Sequence, residues 1–179
     1  MKNKIKTSVR ILPVLLLVLG LAACAPDSPD AANSPEPVFK LPVLSARPAD
    51  ALAVQAARQK LEPGDEAVVF GQIGAVDAPF FEGFSGFVLG DTALVYCDEM
   101  GDDEHCATPW DACCVDPEKR RASRLSVQFI DAEGSPFPVN LQGVSGLEPL
   151  KEVVIAGTVA DSSTPENMII NASGIYIGN

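Results

Sequence analysis

The sequence has few of the residues that enzymes use for acid–base chemistry, since only one of its 179 residues is histidine. A single histidine whose neighbours form no nucleophilic triad limits conventional acid–base and nucleophilic catalysis. The chain contains neither a Gly-x-Ser-x-Gly elbow nor a phosphate-binding loop, and the segment 83–87 (Gly-Phe-Ser-Gly-Phe) lacks the elbow spacing. We therefore predict that the protein is not an enzyme and needs no cofactor.

Basic residues are also scarce, and they are placed unevenly. The chain carries 13 Lys and Arg against 24 Asp and Glu, for a formal net charge of −11. Four of the 13 lie in the first 23 residues, which contain no acid, so the remainder has nine basic and 24 acidic residues and a net charge of −15. Such a chain repels nucleic acid and anionic lipid unless one face is strongly basic. We therefore expect no nucleic-acid partner.

The longest apolar run, residues 11–23, is too short to cross a bilayer, which takes about 20 residues. It follows a short basic leader and is interrupted only by Pro13 and Gly20. This order of basic and then apolar residues is typical of a secretory signal. We predict that residues 1–23 are a signal peptide.

The end of this run, Leu21-Ala22-Ala23-Cys24, resembles the lipobox of bacterial lipoproteins. The resemblance implies that Cys24 is acylated, with palmitate among its chains, and becomes the first residue of the mature protein. Several acyl chains hold a protein on a membrane more firmly than the single chain that leaves binding reversible. We expect a lipid-anchored protein of the bacterial cell envelope that faces the periplasm or the exterior and acts on an unknown envelope partner.

The rest of the chain divides into a tether and a folded domain. Residues 24–48 contain six prolines, which remove backbone donors and favour extended conformations, so we predict a semi-stiff tether. Residues 49–179 form the predicted domain, which opens with a short helix at 49–61. Five β-like runs follow, at 67–76, 84–96, 125–131, 152–160 and 167–177.

These runs predict a mainly β fold, a small five-stranded barrel with a short N-terminal helix. The predicted barrel has a long Cys-rich loop, residues 97–116, between its second and third strands. The last two runs, Val153–Val159 and Ile169–Ile177, resemble the closing strands of an OB-fold. A small β-sandwich is the alternative.

The loop holds four of the five cysteines: Cys97, Cys106, Cys113 and Cys114. In an oxidising compartment, an even number of cysteines in a compact segment favours disulfides. Adjacent cysteines seldom bond to each other, so Cys97 and Cys106 would each join one of Cys113 and Cys114, and both pairings stay open. The alternative is a zinc or copper(I) site that uses these thiolates with His105. The absence of a Cys-x-x-Cys pair weighs against the metal.

The segment 106–114, Cys-Ala-Thr-Pro-Trp-Asp-Ala-Cys-Cys, resembles one found in uncharacterised bacterial lipoproteins with an OB-fold-like domain. That family often has Pro and Tyr where this chain has Ala107 and Ala112. The resemblance implies that the cysteine framework is kept while a contact surface differs.

Three further residues are candidates for ligand contact. Trp110 is expected to plug the loop onto the barrel, with a binding platform as the alternative. Arg120 and Arg121 belong to a segment, 118–124, that holds four of the nine basic residues beyond the leader. We expect them to form surface ion pairs, or else to bind an oligonucleotide or oligosaccharide at the OB-like face. The sequence thus predicts a binding or scaffolding module, with metal binding and oligonucleotide or oligosaccharide binding as alternatives.

Overall fold

The computed structural model describes residues 39–100 and 107–178. No helix among these residues is long and apolar enough to cross a membrane. The signal peptide, Cys24 and most of the predicted tether lie outside this part of the chain. In chain order its strands and α-helices are β1 (Leu52–Ala53), α1 (Val54–Lys60), β2 (Glu66–Ile73), β3 (Gly86–Gly90), α2 (Pro117–Ala122), β4 (Arg124–Gln128), β5 (Glu152–Val159) and β6 (Ile169–Ile177).

Five of these strands close into a barrel. Strand β2 pairs antiparallel with both β3 and β5, β3 pairs antiparallel with β4, and β5 pairs antiparallel with β6. The ring closes through the parallel pair of β4 and β6, while β1 adds to β2 outside it. The predicted mainly β fold, a small OB-fold-like barrel of five strands with a long loop between its second and third strands, is confirmed.

The barrel is filled by alternate residues of its strands. In β2 the buried and the more exposed positions alternate from Ala67 to Ile73, as expected for a strand with one face on the core. Strand β3 is buried at every position, because Phe81 from the segment before it lies against Gly86 and Tyr96 from the loop after it lies against Gly90. The largest fully buried side chains of the barrel include Phe87, Leu89 and Ile155.

The second barrel strand is shorter than the predicted run 84–96, because β3 ends at Gly90. Asp91 is buried, and its carboxylate accepts hydrogen bonds of 2.9 Å from the backbone N–H of Ala93 and from that of Gln55. The first bond turns the chain out of the sheet. The second satisfies an N–H in the first turn of α1, whose own N-cap residue, Ala53, has no side-chain oxygen to offer.

Residues 39–48, which the sequence assigns to the tether, lie against the barrel. Leu41 is buried in the core, Val43 forms a parallel bridge to β6, and the ring of Phe39 contacts Phe129 at 5.9 Å between centroids. Burial of Leu41, the contact of the Phe39 ring and the backbone pairing of Val43 together dock this proline-containing segment. The folded unit therefore includes residue 39 onwards.

Helix α2 was not predicted, and it lies directly after the Cys-rich loop 97–116, in the connection between β3 and β4. Pro117 occupies its first turn, where a missing N–H costs nothing. The Oδ1 atom of Asp116 accepts hydrogen bonds from the N–H groups of Glu118 and Lys119, at 3.0 and 3.1 Å. Asp116 thus caps the helix that carries Arg120 and Arg121.

Replacing Asp116 by alanine is expected to lower the free energy of unfolding by about 1 kcal/mol, the usual cost of losing an N-cap. Asn at this position keeps an acceptor oxygen, so Asp116→Asn serves as the control and should stay close to wild type. Denaturant unfolding followed by circular dichroism measures both. Equal losses for the two variants would assign the effect to charge rather than to capping.

Candidate functional site: the loop between β3 and β4 and its two cavities

The loop is anchored by a small apolar cluster of its own. Leu94, Tyr96 and Ala112 are buried against Ala75, which follows β2. The Tyr96 hydroxyl donates a 3.3 Å hydrogen bond to the backbone oxygen of Asp91. An acidic loop that exposes so many polar groups thus packs on the barrel through a few apolar side chains.

Tyr96 stays a neutral hydroxyl in this cluster. Burial raises the pKa of Tyr96 far above its ordinary value, and the carboxylates of Asp91, Glu99 and Asp98 raise it further. Both causes disfavour a phenolate. At neutral pH the hydroxyl is therefore protonated and can donate its hydrogen bond to Asp91.

The two arms of the loop are joined by backbone hydrogen bonds. The N–H of Cys97 donates to the oxygen of Asp111 at 2.8 Å, and that of Asp98 donates to Pro109 at 3.0 Å. A third bond, from the N–H of Ala75 to the oxygen of Trp110 at 2.8 Å, ties the returning arm to the barrel. A Cβ at Gly74 would lie 2.6 Å from that Trp110 oxygen, so a glycine is needed for this approach.

The cysteines of the described residues lie close together. The Sγ atoms of Cys97 and Cys113 are 3.5 Å apart, and those of Cys113 and Cys114 are 3.8 Å apart. These are contacts, longer than the roughly 2.05 Å of a covalent S–S bond. Cys97 is buried, whereas Cys113 and Cys114 are exposed. The predicted disulfides stay a prediction.

The predicted metal site depends on residues that are outside the described part of the chain. His105 and Cys106 both lie in the gap between residues 100 and 107. Among the described residues, no group of three or more His, Cys, Asp or Glu side chains is placed to hold a metal ion. The geometry therefore leaves the thiolate–imidazole alternative as a prediction.

Trp110 lines a cavity of about 510 Å³, which we call the aromatic groove. Its indole N–H donates a 2.8 Å hydrogen bond to the backbone oxygen of Asp77, which fixes the ring at the mouth of the groove. Phe81 and Phe84 lie in the same groove and stack on each other, with their ring centroids 4.8 Å apart. Trp110, Phe81 and Phe84 are all half-buried.

The polar side chains of the groove are carboxylates and carboxamides, those of Asp77, Glu82, Asn140 and Gln142. The Asn140 amide is held in place, because it donates to the oxygen of Phe81 at 3.4 Å and accepts from the N–H of Gln142 at 2.8 Å. Neither Lys nor Arg is among the described residues that line the groove. Its polar character is thus neutral to acidic.

The two predicted arginines lie elsewhere. Arg121 lines a separate cavity of about 230 Å³, which we call the arginine cavity, together with Arg124. Arg120 is not among the lining residues, and its Nε atom is buried without a hydrogen-bond partner within the described part of the chain. Trp110 and Arg121 therefore belong to different cavities.

Sequence reasoning missed most of both cavities. The groove combines the segment 77–84, the loop tryptophan and the segment 140–149, which are far apart in the chain. The one sequence signal was the cluster of phenylalanines at 80–84 in a connecting segment, where half-exposed aromatic rings are uncommon without a partner. Arg124 was visible only as part of a basic run.

Comparisons of the chain with protein-family models, with curated proteins and with solved structures found no match.

Proposed function

We propose that this protein is a non-enzymatic binding module of the bacterial cell envelope, anchored by lipid at Cys24, whose aromatic groove binds a neutral saccharide. The observation that carries the proposal is the meeting of three half-buried aromatic rings and four carboxylate or carboxamide side chains in one cavity of about 510 Å³. A volume of this size is in the range that small-ligand sites occupy.

The rings supply the stacking surface. An aromatic ring has a negative face, and the C–H groups on the face of a pyranose carry small positive charges, so the two surfaces attract each other. Two hydrogen bonds hold Trp110: its backbone oxygen accepts from the N–H of Ala75, and its indole N–H donates to the backbone oxygen of Asp77. Such a ring pays little entropy when a ligand binds.

The polar side chains match the hydroxyl groups of a sugar. Carboxylates accept hydrogen bonds and carboxamides both accept and donate them, while each sugar hydroxyl does both. With Asp77 and Glu82 at the groove and no cationic side chain among its described lining residues, an anionic ligand would meet repulsion. The chemistry therefore favours an uncharged saccharide over an oligonucleotide or an acidic polymer.

The chain offers its own reporter for this proposal, because Trp110 is its only tryptophan. We expect a neutral N-acetylglucosamine trimer, cellotriose or maltotriose to shift Trp110 emission and to protect it from acrylamide, in a titration of the full chain in uncharged detergent. Replacing Phe84 by alanine removes one stacking ring and should weaken binding by about tenfold, by analogy with bases stacked on aromatic side chains.

The matched control is Tyr176→Ala, which removes a half-buried aromatic ring from β6, away from the groove. It should leave the titration unchanged. Equal weakening by Phe84→Ala and Tyr176→Ala, or no change in Trp110 emission with any of the three saccharides, would contradict the proposal. If a proline-rich peptide bound to the protein while none of the saccharides did, the ligand would be a peptide instead.

Metal binding by the loop thiolates with His105 is the second candidate; among the described residues no three ligand side chains are placed to hold an ion, so it depends on the spacing of two pairs of sulfurs. A zinc ion held at about 2.3 Å by tetrahedral thiolates places neighbouring sulfurs about 3.8 Å apart. The separations at Cys97, Cys113 and Cys114 are 3.5 and 3.8 Å. Native and denaturing mass spectrometry of the full chain, with and without reductant, separates bound zinc or copper from disulfides. A mass two hydrogens lower per pair, without metal, would exclude this candidate.

A further inference from the structure

The arginine cavity has an apolar floor and a wall of hydrogen-bond donors. Its floor is formed by Val76, Val88 and Leu125. Around it stand the polar side chains of Arg121, Arg124, Ser126, Glu166 and Asn167. The cavity does not share a lining residue with the aromatic groove, although the two adjoin in sequence at Val76 and Asp77.

The guanidinium of Arg124 is held in position at this cavity. Its Nη1 atom donates to the backbone oxygen of Ala75 at 3.4 Å, which leaves its other N–H groups available. Arg58 supports the backbone from behind, because it donates to the oxygen of Arg124 at 3.1 Å and to that of Pro165 at 2.6 Å. A binding group fixed in this way loses little freedom when it takes up a ligand.

Like charges accumulate around this position in an otherwise acidic protein. Burial lowers the pKa of Arg124, and the positive charges of Arg120 and Arg121 lower it further, against an opposing effect of Asp111. Burial and the charge of Arg124 also lower the pKa of Arg58, while Glu166 opposes them. An anion placed among these guanidinium groups would relieve their mutual repulsion.

Asn167 completes the donor set, and Ser126 orients its amide. The Ser126 hydroxyl donates to the Oδ1 atom of Asn167 at 3.2 Å, so the amide oxygen is occupied and the amide N–H₂ remains as a donor. Two guanidinium groups and an amide thus surround the cavity with N–H donors. A guanidinium group can donate two parallel N–H bonds to the oxygens of a phosphate, and two such groups line this cavity.

We propose that the arginine cavity is a phosphate-binding site, in which Arg121 and Arg124 hold a phosphate group whose remaining oxygens accept from Asn167. The exposed carboxylate of Glu166 faces the same cavity and limits the affinity. The phosphate would belong to free phosphate, or to a phosphomonoester headgroup of a lipid. The site is independent of the saccharide groove, so either proposal can fail without the other.

The test is a titration of the full chain with inorganic phosphate in uncharged detergent at 0.15 M sodium chloride, about physiological ionic strength, followed by NMR of the arginine side chains. We expect saturable shifts for Arg121 and Arg124, and Arg121→Gln should weaken binding by about tenfold, the loss of one paired charge-assisted contact. Glu166→Gln removes the opposing carboxylate and should strengthen binding.

The matched control is Lys119→Gln, which removes the same charge from the same helix but does not line the cavity. It should change the affinity less than twofold. Equal weakening by Lys119→Gln and Arg121→Gln, or the absence of saturation, would overturn the proposal in favour of general screening. A titration with soluble dihexanoyl phosphatidic acid shows where the bound phosphate comes from. Tighter binding of this lipid than of inorganic phosphate assigns a lipid headgroup, and equal binding assigns free phosphate.

Discussion

Replacing Tyr96 by alanine is expected to lower the free energy of unfolding by about 3–5 kcal/mol, the usual cost of truncating a buried aromatic side chain. Tyr96 is the largest fully buried side chain among the residues that the structure describes. It is the centre of the cluster that anchors the loop, so the cavity left behind would not be filled by Leu94 and Ala112 alone. Denaturant unfolding of the full chain measures the loss.

Tyr96→Phe is the control, because it keeps the ring and removes only the 3.3 Å hydrogen bond to Asp91. It should cost about 1 kcal/mol or less, the net contribution of one hydrogen bond. Similar losses for the two variants would show that the hydroxyl, not the apolar burial, holds the loop.

The alanine variant should also affect both cavities. Ala75 bonds to both cavities: its backbone N–H donates to the backbone oxygen of Trp110, and its backbone oxygen accepts from the guanidinium of Arg124. Loosening the cluster that Ala75 shares with Tyr96 is therefore expected to raise the acrylamide quenching of Trp110. Unchanged quenching in Tyr96→Ala would place the support of the groove elsewhere.

Reduction of the mature, oxidised protein is expected to lower its free energy of unfolding by about 3 kcal/mol, the chain-entropy value for a closed loop of some 15 residues. The Sγ atoms of Cys97 and Cys113 are in contact at 3.5 Å across a sequence separation of 16. The hydrogen bond from Cys97 to Asp111 already brings the two arms together. We therefore expect Cys97 to pair with Cys113, which leaves Cys106 for Cys114.

Peptide mapping of the non-reduced protein tests this pairing directly. The Cys97→Ser and Cys113→Ser variants should each lose the same crosslink. Their losses of unfolding free energy should not be additive in the double variant. A crosslink between Cys97 and Cys114, or additive losses, would assign the other pairing. No crosslink together with bound zinc or copper would support the metal candidate.

The sequence alone was sufficient for the barrel and for its long loop. Alternation of apolar and polar residues marks a strand locally, as in β4, and turn residues separate one run from the next. The predicted strand ends were less accurate than the predicted strands. Strand β3 stops at Gly90, where the carboxylate of Asp91 accepts from the N–H of Ala93 and turns the chain out of the sheet. The same carboxylate also bonds to the first turn of α1, a contact over 36 residues that no local pattern predicts.

The acidic charge, the cluster of cysteines and the resemblance of residues 21–24 to a lipobox were also apparent from residue types and spacing, and the lipid anchor that this resemblance implies stays a prediction. The two cavities were decided only by the tertiary structure. Phe84, Trp110 and Asn140 form one groove, and Arg121, Arg124 and Asn167 face another, because barrel closure brings distant connecting segments side by side. Binding sites of this kind are made from long-range contacts, whereas a sequence read locally records only which residues are available for them.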